Sequence, residues 1–384
     1  MLAEREPYHR AADLLMTADD ARTPALQLSR THPHVELEDS SATRRGSPRR
    51  KKMKPFALRR TVQACLIAVT CGASFVGCRV EAQSSDSYPS RPIHVIVPFA
   101  PGAADVYIRA LGPVLEAELG QPIVVENRAG ANGLIGADAV KRMAADGYTF
   151  LFATASVVAT RFFRKDVTLD VCKDFVPVDT VHESPMVLVA SPALGVKSVA
   201  ELIEHARRNP GKLTFASAGI GSIQHLSGEL FKNETKTDLV HVPYNGGTVF
   251  IPDLITGRVD LAFSTLGTLV AQIGEKKLVP LAVLDNATHK DLPGVPPITE
   301  ALPNYQKVAA WSAMLAPLGL PDAIRDRVHQ AVSKALTKPD VQALIEKNYG
   351  LALNTATSAD VGKLICNESE RLDLLTKKIG IQPD

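Results

Sequence analysis

Between Ile93 and Leu284, short apolar runs alternate with amphipathic stretches, and this rhythm restricts the chain to few folds. The runs Ile93–Val97, Pro122–Glu126, Tyr148–Ala153, Pro185–Ser191, Lys212–Ala216, Leu239–Val242, Val259–Ser264 and Val279–Leu284 have the length of strands. Between them the spacing predicts helices at about Ala104–Leu119, where Leu111, Leu115 and Leu119 share a face, and at Gly133–Ala144, Val199–Arg208, Ser222–Thr235, Val249–Thr256 and Leu269–Lys276. The stretch between Ala153 and Pro185 reads as irregular. Strands that alternate with helices predict an α/β protein with parallel sheets.

The end of the chain adds a constraint. After the Pro-rich connection Asp291–Pro303, Val308–Ala316 reads as one more strand, and helical patterns follow at Pro321–Thr337, Asp340–Asn348 and Ser358–Lys378. A strand placed after so long a detour predicts that the chain leaves a first domain near Pro185, builds a second, and returns near Val308. The expected lobes are 88–186 with 309–384, and 187–308. Two crossings make a hinge, and small ligands usually bind in clefts between domains.

The chain has 384 residues and a formal charge of +2. Residues 1–82 are basic on balance and the remainder slightly acidic, with no basic stripe, so nucleic-acid binding is not expected. Met53–Arg60 reads as a basic n-region, Thr61–Val76 as an apolar h-region too short for the ~20 residues of a membrane span, and Val80-Glu-Ala82 as a small-x-small cleavage site. Residues 53–82 are therefore expected to be a signal peptide that sends the chain to the periplasm. Phe75-Val-Gly-Cys78 offers a second ending, a lipoprotein box with lipid on Cys78. Residues 1–52, polar and Arg-rich, read as a disordered extension or a mis-called start. Beyond the signal only Cys172 and Cys366 remain. Export permits a disulfide between them, but sequence does not decide whether they pair.

Four loops follow strands and precede helices, at the strand ends where open α/β sheets bind ligands. They are Pro98–Asp105, Ala153–Ser156, Ser217–His225 and Val242–Thr248. Backbone N–H groups and the positive dipole end at a helix start attract anions. Hydroxyls and N–H groups without a nearby Arg/Lys cluster suit a carboxylate. The candidate ligand-binding residues are Phe99, Ala100, Pro101, Gly102, Ala103 and Asp105 in the first loop; Thr154 and Ser156 in the second; Ser217, Gly219, Gly221, Ser222 and His225 in the third; Tyr244, Gly246 and Gly247 in the fourth; and Ser264 at a further strand end. Ser217, Ser222 and Thr154 are expected to face the cleft.

Each candidate has a plainer reading. Asp105 can cap its helix, His225 can be a satisfied structural group, and Tyr244 can wall the cleft or pack beneath it. Gly130-Ala-Asn-Gly-Leu-Ile-Gly136 lacks the Lys-Ser/Thr of a phosphate loop and reads as a turn before a closely packed helix. Gly219-Ile-Gly221 is a poor dinucleotide fingerprint, with Gln224 at the third Gly position. No catalytic signature is present, so no enzyme, cofactor or metal is expected. A periplasmic hydrolase or isomerase and a ligand sensor for a membrane histidine kinase remain as alternative readings.

Several segments, in order, carry a family resemblance: Tyr88-Pro-Ser-Arg-Pro-Ile93, Ile96-Val-Pro-Phe-Ala-Pro-Gly102, Val125-Glu-Asn-Arg-Ala-Gly130, Ala145-Asp-Gly-Tyr-Thr149, Lys173-Asp-Phe-Val-Pro177, Pro210–Gly219, His241–Gly247 and Trp311–Pro317. From Tyr88 to near its end the chain resembles the substrate-binding proteins of tripartite tricarboxylate transporters, the Bug-type extracytoplasmic solute receptors. The resemblance implies the type II periplasmic-binding-protein fold, two α/β lobes joined by two crossing strands with a ligand cleft between them. It implies a monomeric receptor for small organic acids that works with membrane permease subunits. It places binding loops at Pro98–Asp105, Thr154–Ser156, Ser217–Ser222 and Tyr244–Gly247. One loop departs from the family pattern: Pro101-Gly-Ala-Ala-Asp105 is a residue short and keeps a single Gly where three are usual.

Overall fold

The computed structural model describes residues 88–353 and 357–383. The extension, the signal peptide and both readings of its cleavage site lie outside the described residues. Two sheets organise the rest. The first part of the chain runs β1 (Ile93–Val97), α1 (Ala103–Leu119), β2 (Ile123–Asn127), α2 (Leu134–Lys141), β3 (Thr149–Thr154), α3 (Ala155–Ala159), α4 (Val171–Asp174) and β4 (Phe175–Ser184). The middle runs β5 (Met186–Ala190), α5 (Val199–Arg208), β6 (Thr214–Ser217), α6 (Ile223–Thr235), β7 (Val240–Pro243), α7 (Ile251–Thr256), β8 (Leu261–Thr265), α8 (Leu266–Gly274) and β9 (Val279–Val283). The last part runs α9 (Ile298–Ala301), β10 (Ala310–Pro317), α10 (Asp322–Leu336), α11 (Pro339–Lys347), β11 (Leu351–Ala352) and α12 (Ser358–Lys378).

One sheet has the order β11-β4-β10-β3-β1-β2 and the other β7-β6-β8-β5-β9. Sheet membership changes at Pro185, between β4 and β5, and changes back in the connection from Val283 to Ala310. β1 is buried on both faces between helices, which is why Ile93-His-Val-Ile-Val97 is almost wholly apolar. Tyr107, Ile108, Leu111, Leu115 and Leu119 of α1 pack with Phe150, Phe152, Met314 and Val332 over one face of the first sheet. A second cluster includes Leu151, Ala153 and Trp311 on the other face of that sheet and Leu188, Phe215 and Phe263 of the second sheet. A third, with Val187, Phe250, Leu254 and Leu269, covers the far face of the second sheet.

Two expectations change. The sheets are mixed: β10 runs antiparallel to β3 and β4, and β5 runs antiparallel to β8 and β9. The segment expected to be irregular holds β4, a ten-residue strand. Its polar residues hide it in sequence, because Asp179, Thr180 and His182 are all buried. Asp179 is held by Ser333 Oγ at 2.8 Å and by His329 Nδ1 at 3.1 Å, both from α10. Such partners, about 150 residues downstream, make a buried carboxylate tolerable.

Cys172 of α4 and Cys366 of α12 are joined by a disulfide, with Cα atoms 5.7 Å apart. Among the described residues no helix is long and apolar enough to cross a membrane.

Candidate ligand-binding cleft

Parallel strands β1, β3, β6 and β8 deliver their following loops to one cleft, and antiparallel β10 delivers its first residues there. The cleft has a volume of about 960 Å³. Strand register sets its polar floor. Thr154 of β3 pairs with Ser312 of β10, which pairs with His182 of β4, so three polar residues stand in a row across the sheet. All three line the cleft, with Ser184 beside them. Tyr107 of α1 closes this end: its ring stacks on His182 with centroids 3.5 Å apart, and its hydroxyl donates to the Asn348 carbonyl at 3.0 Å.

Burial pushes the His182 imidazole down to about 3, so the ring is neutral over the physiological range. Burial also raises Tyr107, against the opposing effect of a Ser184 hydrogen bond. Arg164 is the only Arg or Lys among the described lining residues, and no Asp or Glu is among them. Its guanidinium forms a two-point pair with Asp166, at 3.0 and 2.7 Å, which raises it above its ordinary value.

Helix starts contribute donors. Gly102, Thr154 and Thr265 sit at the N-caps of α1, α3 and α8; the Gly102 N–H donates to Asp105, the Thr265 hydroxyl bonds that of Thr268, and Thr154 makes no side-chain cap bond. All three line the cleft. Among the described residues, three buried polar atoms in the wall lack protein partners: His182 Nδ1, Gln224 Oε1 and Trp311 Nε1. An unsatisfied buried group costs about 1–3 kcal/mol, which a ligand that bonds to it recovers.

The structure brings Phe99, Ala100, Pro101, Gly102, Thr154, Ser156, Gly219, Tyr244, Gly246 and Gly247 together on the cleft wall. Ser156 also accepts from the Ile223 N–H at 3.4 Å, which ties α3 to the start of α6. Tyr244 donates its hydroxyl to Asp253 at 2.9 Å, and burial is the largest cause raising its pKa.

Apart from Ala103, the other candidates stand behind the wall. Ala103 opens α1. Asp105 accepts from the Gly102 N–H at 2.9 Å and from Asn127 at 2.9 Å, and pairs with Arg109, so its carboxylate is spent on capping and bracing the first loop. Ser217 and Ser222, expected to face the cleft, are fully buried beneath the third loop. Ser217 Oγ lies 2.6 Å from His241 Nε2 and accepts from the Gly219 N–H at 3.1 Å. Ser222 Oγ accepts from the His225 N–H and caps α6. His225 accepts from the Gly221 N–H through Nδ1 at 3.2 Å and stacks on His241. Gly221, at φ +79°, lies against Thr160, where an added Cβ would come within 2.7 Å of the Thr160 Cα. Ser264 is buried inside β8, with no partner for its hydroxyl among the described residues.

Sequence reasoning missed Tyr107, Arg164, His182, Ser184, Gln224, Thr265, Thr268, Trp311 and Ser312, all on the wall. Thr265 and Thr268 were accessible to it, because they follow β8 as Thr154 follows β3. His182 and Ser184 went unseen with β4. The Gly130–Gly136 segment is a turn before α2, as read: a Cβ on Gly136 would meet Pro98 and the Arg128 carbonyl at 2.7 Å. Its Gly130–Gly133 part nevertheless lines the cleft.

Two sheets, two chain crossings and a cleft lined by strand ends define a two-lobed solute-binding protein. The chain belongs to the tripartite tricarboxylate transporter family of receptors, whose model matches residues 108–381. This is a family of binding receptors, not enzymes. Three solved structures are similar. The periplasmic binding protein BugD is 29% identical, with 77% of this chain and 100% of that one covered and a TM-score of 0.71. A Rhodopseudomonas palustris protein with adipate is 32% identical, with coverage of 77% and 100% and a TM-score of 0.73. MatC of the same organism, with bound malate, is 29% identical, with coverage of 75% and 99% and a TM-score of 0.70.

Proposed function

We propose that this protein is a periplasmic receptor that captures a small carboxylate-bearing metabolite and delivers it to the membrane subunits of a tripartite tricarboxylate-type transporter. The observation that carries the reading is the cleft lining: the start of α8 at Thr265, hydroxyls at Thr154 and Ser312, and no Asp or Glu among the described lining residues. Donors of this kind hold an anion without a dedicated counter-ion. The adipate and malate of the related structures have the same chemistry. Residues 88–186 with 309–384 form one lobe and 187–308 the other, and closure of the two presents the loaded receptor to the permease. The leader at Met53–Ala82 supports export.

A thermal-shift screen of organic acids, neutral sugars and cationic amines tests the reading. A ligand present at 100 times its dissociation constant stabilises the native state by about 2.7 kcal/mol. Organic acids are expected to raise the melting temperature. Stabilisation by sugars or amines and by no organic acid refutes it.

A further inference from the structure

Aliphatic surface inside the cleft bears on what body the carboxylate carries. Val106 in the first turn of α1, Ile220 in the β6–α6 loop and Val249 in the β7–α7 loop are 40%, 44% and 55% exposed. They come from both sides of the cleft, and all three line it. Large apolar side chains left open in a concave site mark a surface that something covers. Charge points the same way. Arg164 is the only Arg or Lys among the described lining residues, and Asp166 already holds the Nε–Nη2 edge of its guanidinium through two hydrogen bonds. A second carboxylate near Val106, Ile220 and Val249 would meet an aliphatic wall, and the Arg164 guanidinium is already shared with Asp166.

We propose that the cleft selects a monocarboxylate with an apolar body over dicarboxylates such as adipate and malate. The anionic end sits at the Thr154, Ser312 and Thr265 donors, and the body covers Val106, Ile220 and Val249. This rests on the carboxylate reading above. It names the class of acid within that reading.

Calorimetry on the full exported protein, freed of co-purified ligand by unfolding and refolding, tests it with phenylacetate, hexanoate, adipate, malate and the neutral phenylacetamide. Hexanoate and adipate share a six-carbon chain and differ by one carboxylate. The tighter of phenylacetate and hexanoate is expected to exceed both dicarboxylates by at least ~10-fold, which is about 1.4 kcal/mol. Val249→Asn and Ile220→Asn are expected to weaken that ligand ~3–10-fold each, with the unliganded melting temperature unchanged because both side chains are exposed. Adipate or malate binding as tightly as the best monocarboxylate, or both Asn variants binding like the parent, overturns the inference and leaves the carboxylate reading standing. Phenylacetamide matching phenylacetate, or no acid of the set binding, overturns the carboxylate reading, and the inference falls with it.

Discussion

His225 and His241 lie face to face beneath the third cleft loop, with ring centroids 3.7 Å apart and planes 9° apart. Phe215 packs beside the pair, 4.9 Å from His241 and 6.3 Å from His225. Burial is the main cause that pushes His225 down to about 3 and His241 to about 4, with a smaller contribution to His225 from its neighbour His241. Both rings are therefore neutral in the native protein near pH 7, whereas in the unfolded chain they protonate near pH 6.5. The unfolded state takes up protons first as the pH falls, so stability present above pH 6.5 declines toward pH 4 and is lost as the folded values are passed. Denaturation midpoints measured between pH 7 and 4 are expected to fall. His241→Phe keeps a ring in the stack but cannot be charged, and is expected to fall less steeply. Equal slopes for parent and variant would remove this pair as the cause.

Thr154 and Ser217 are expected to respond differently to truncation. Thr154 lines the cleft, while Ser217 holds His241 and the Gly219 N–H from behind. Thr154→Val is expected to weaken ligand binding by roughly ten- to a hundredfold, the worth of about 1.5–3 kcal/mol for a hydrogen bond to a charged group. Ser217→Ala is expected to lose about 1 kcal/mol of folding stability and to affect binding less. Titration calorimetry paired with urea unfolding separates the two effects. The reverse pattern would move Ser217 into the contact set.

The Cys172–Cys366 disulfide closes a loop with a sequence separation of 194. In the chain-entropy account a long loop gains most from closure, typically 2–5 kcal/mol. Cys366→Ser is expected to lower the urea midpoint accordingly, and thiol labelling of the parent without reductant should find neither cysteine free. Labelling of both, with a midpoint indifferent to reductant, contradicts the pairing.

Ligand binding is expected to close the cleft, because Thr154 and Tyr244 line it from different sheets and a ligand that touches both gains contacts only when they approach. Small-angle scattering at ligand saturation should show a smaller radius of gyration. An unchanged profile with binding confirmed separately points to a rigid receptor.

The alternation of apolar runs and helices gave the α/β class and most elements, and it placed α12 at Ser358–Lys378 as observed. It failed at β4, where buried Asp179 and His182 break the apolar pattern, and at strand direction, which periodicity does not carry. The site shows the same division. The strand–loop–helix rule led to Gly102, Thr154 and Tyr244 on the wall. It could not separate them from Asp105, Ser217 and Ser222, whose polar atoms have the same types in the same loops and turn inward to caps and braces.

Most strands, helices and donor-rich loops were legible in the sequence, because these follow from local periodicity and turn chemistry. It also carried the family, through ordered motifs from Tyr88 to Pro317. Which side chains reach the cleft is set by long-range packing. Thr154, Ser312 and His182 stand side by side through register between β3, β10 and β4, strands from distant parts of the chain. Whether a hydroxyl faces a ligand or a neighbouring backbone N–H depends on packing from such distant segments, and no local pattern records it.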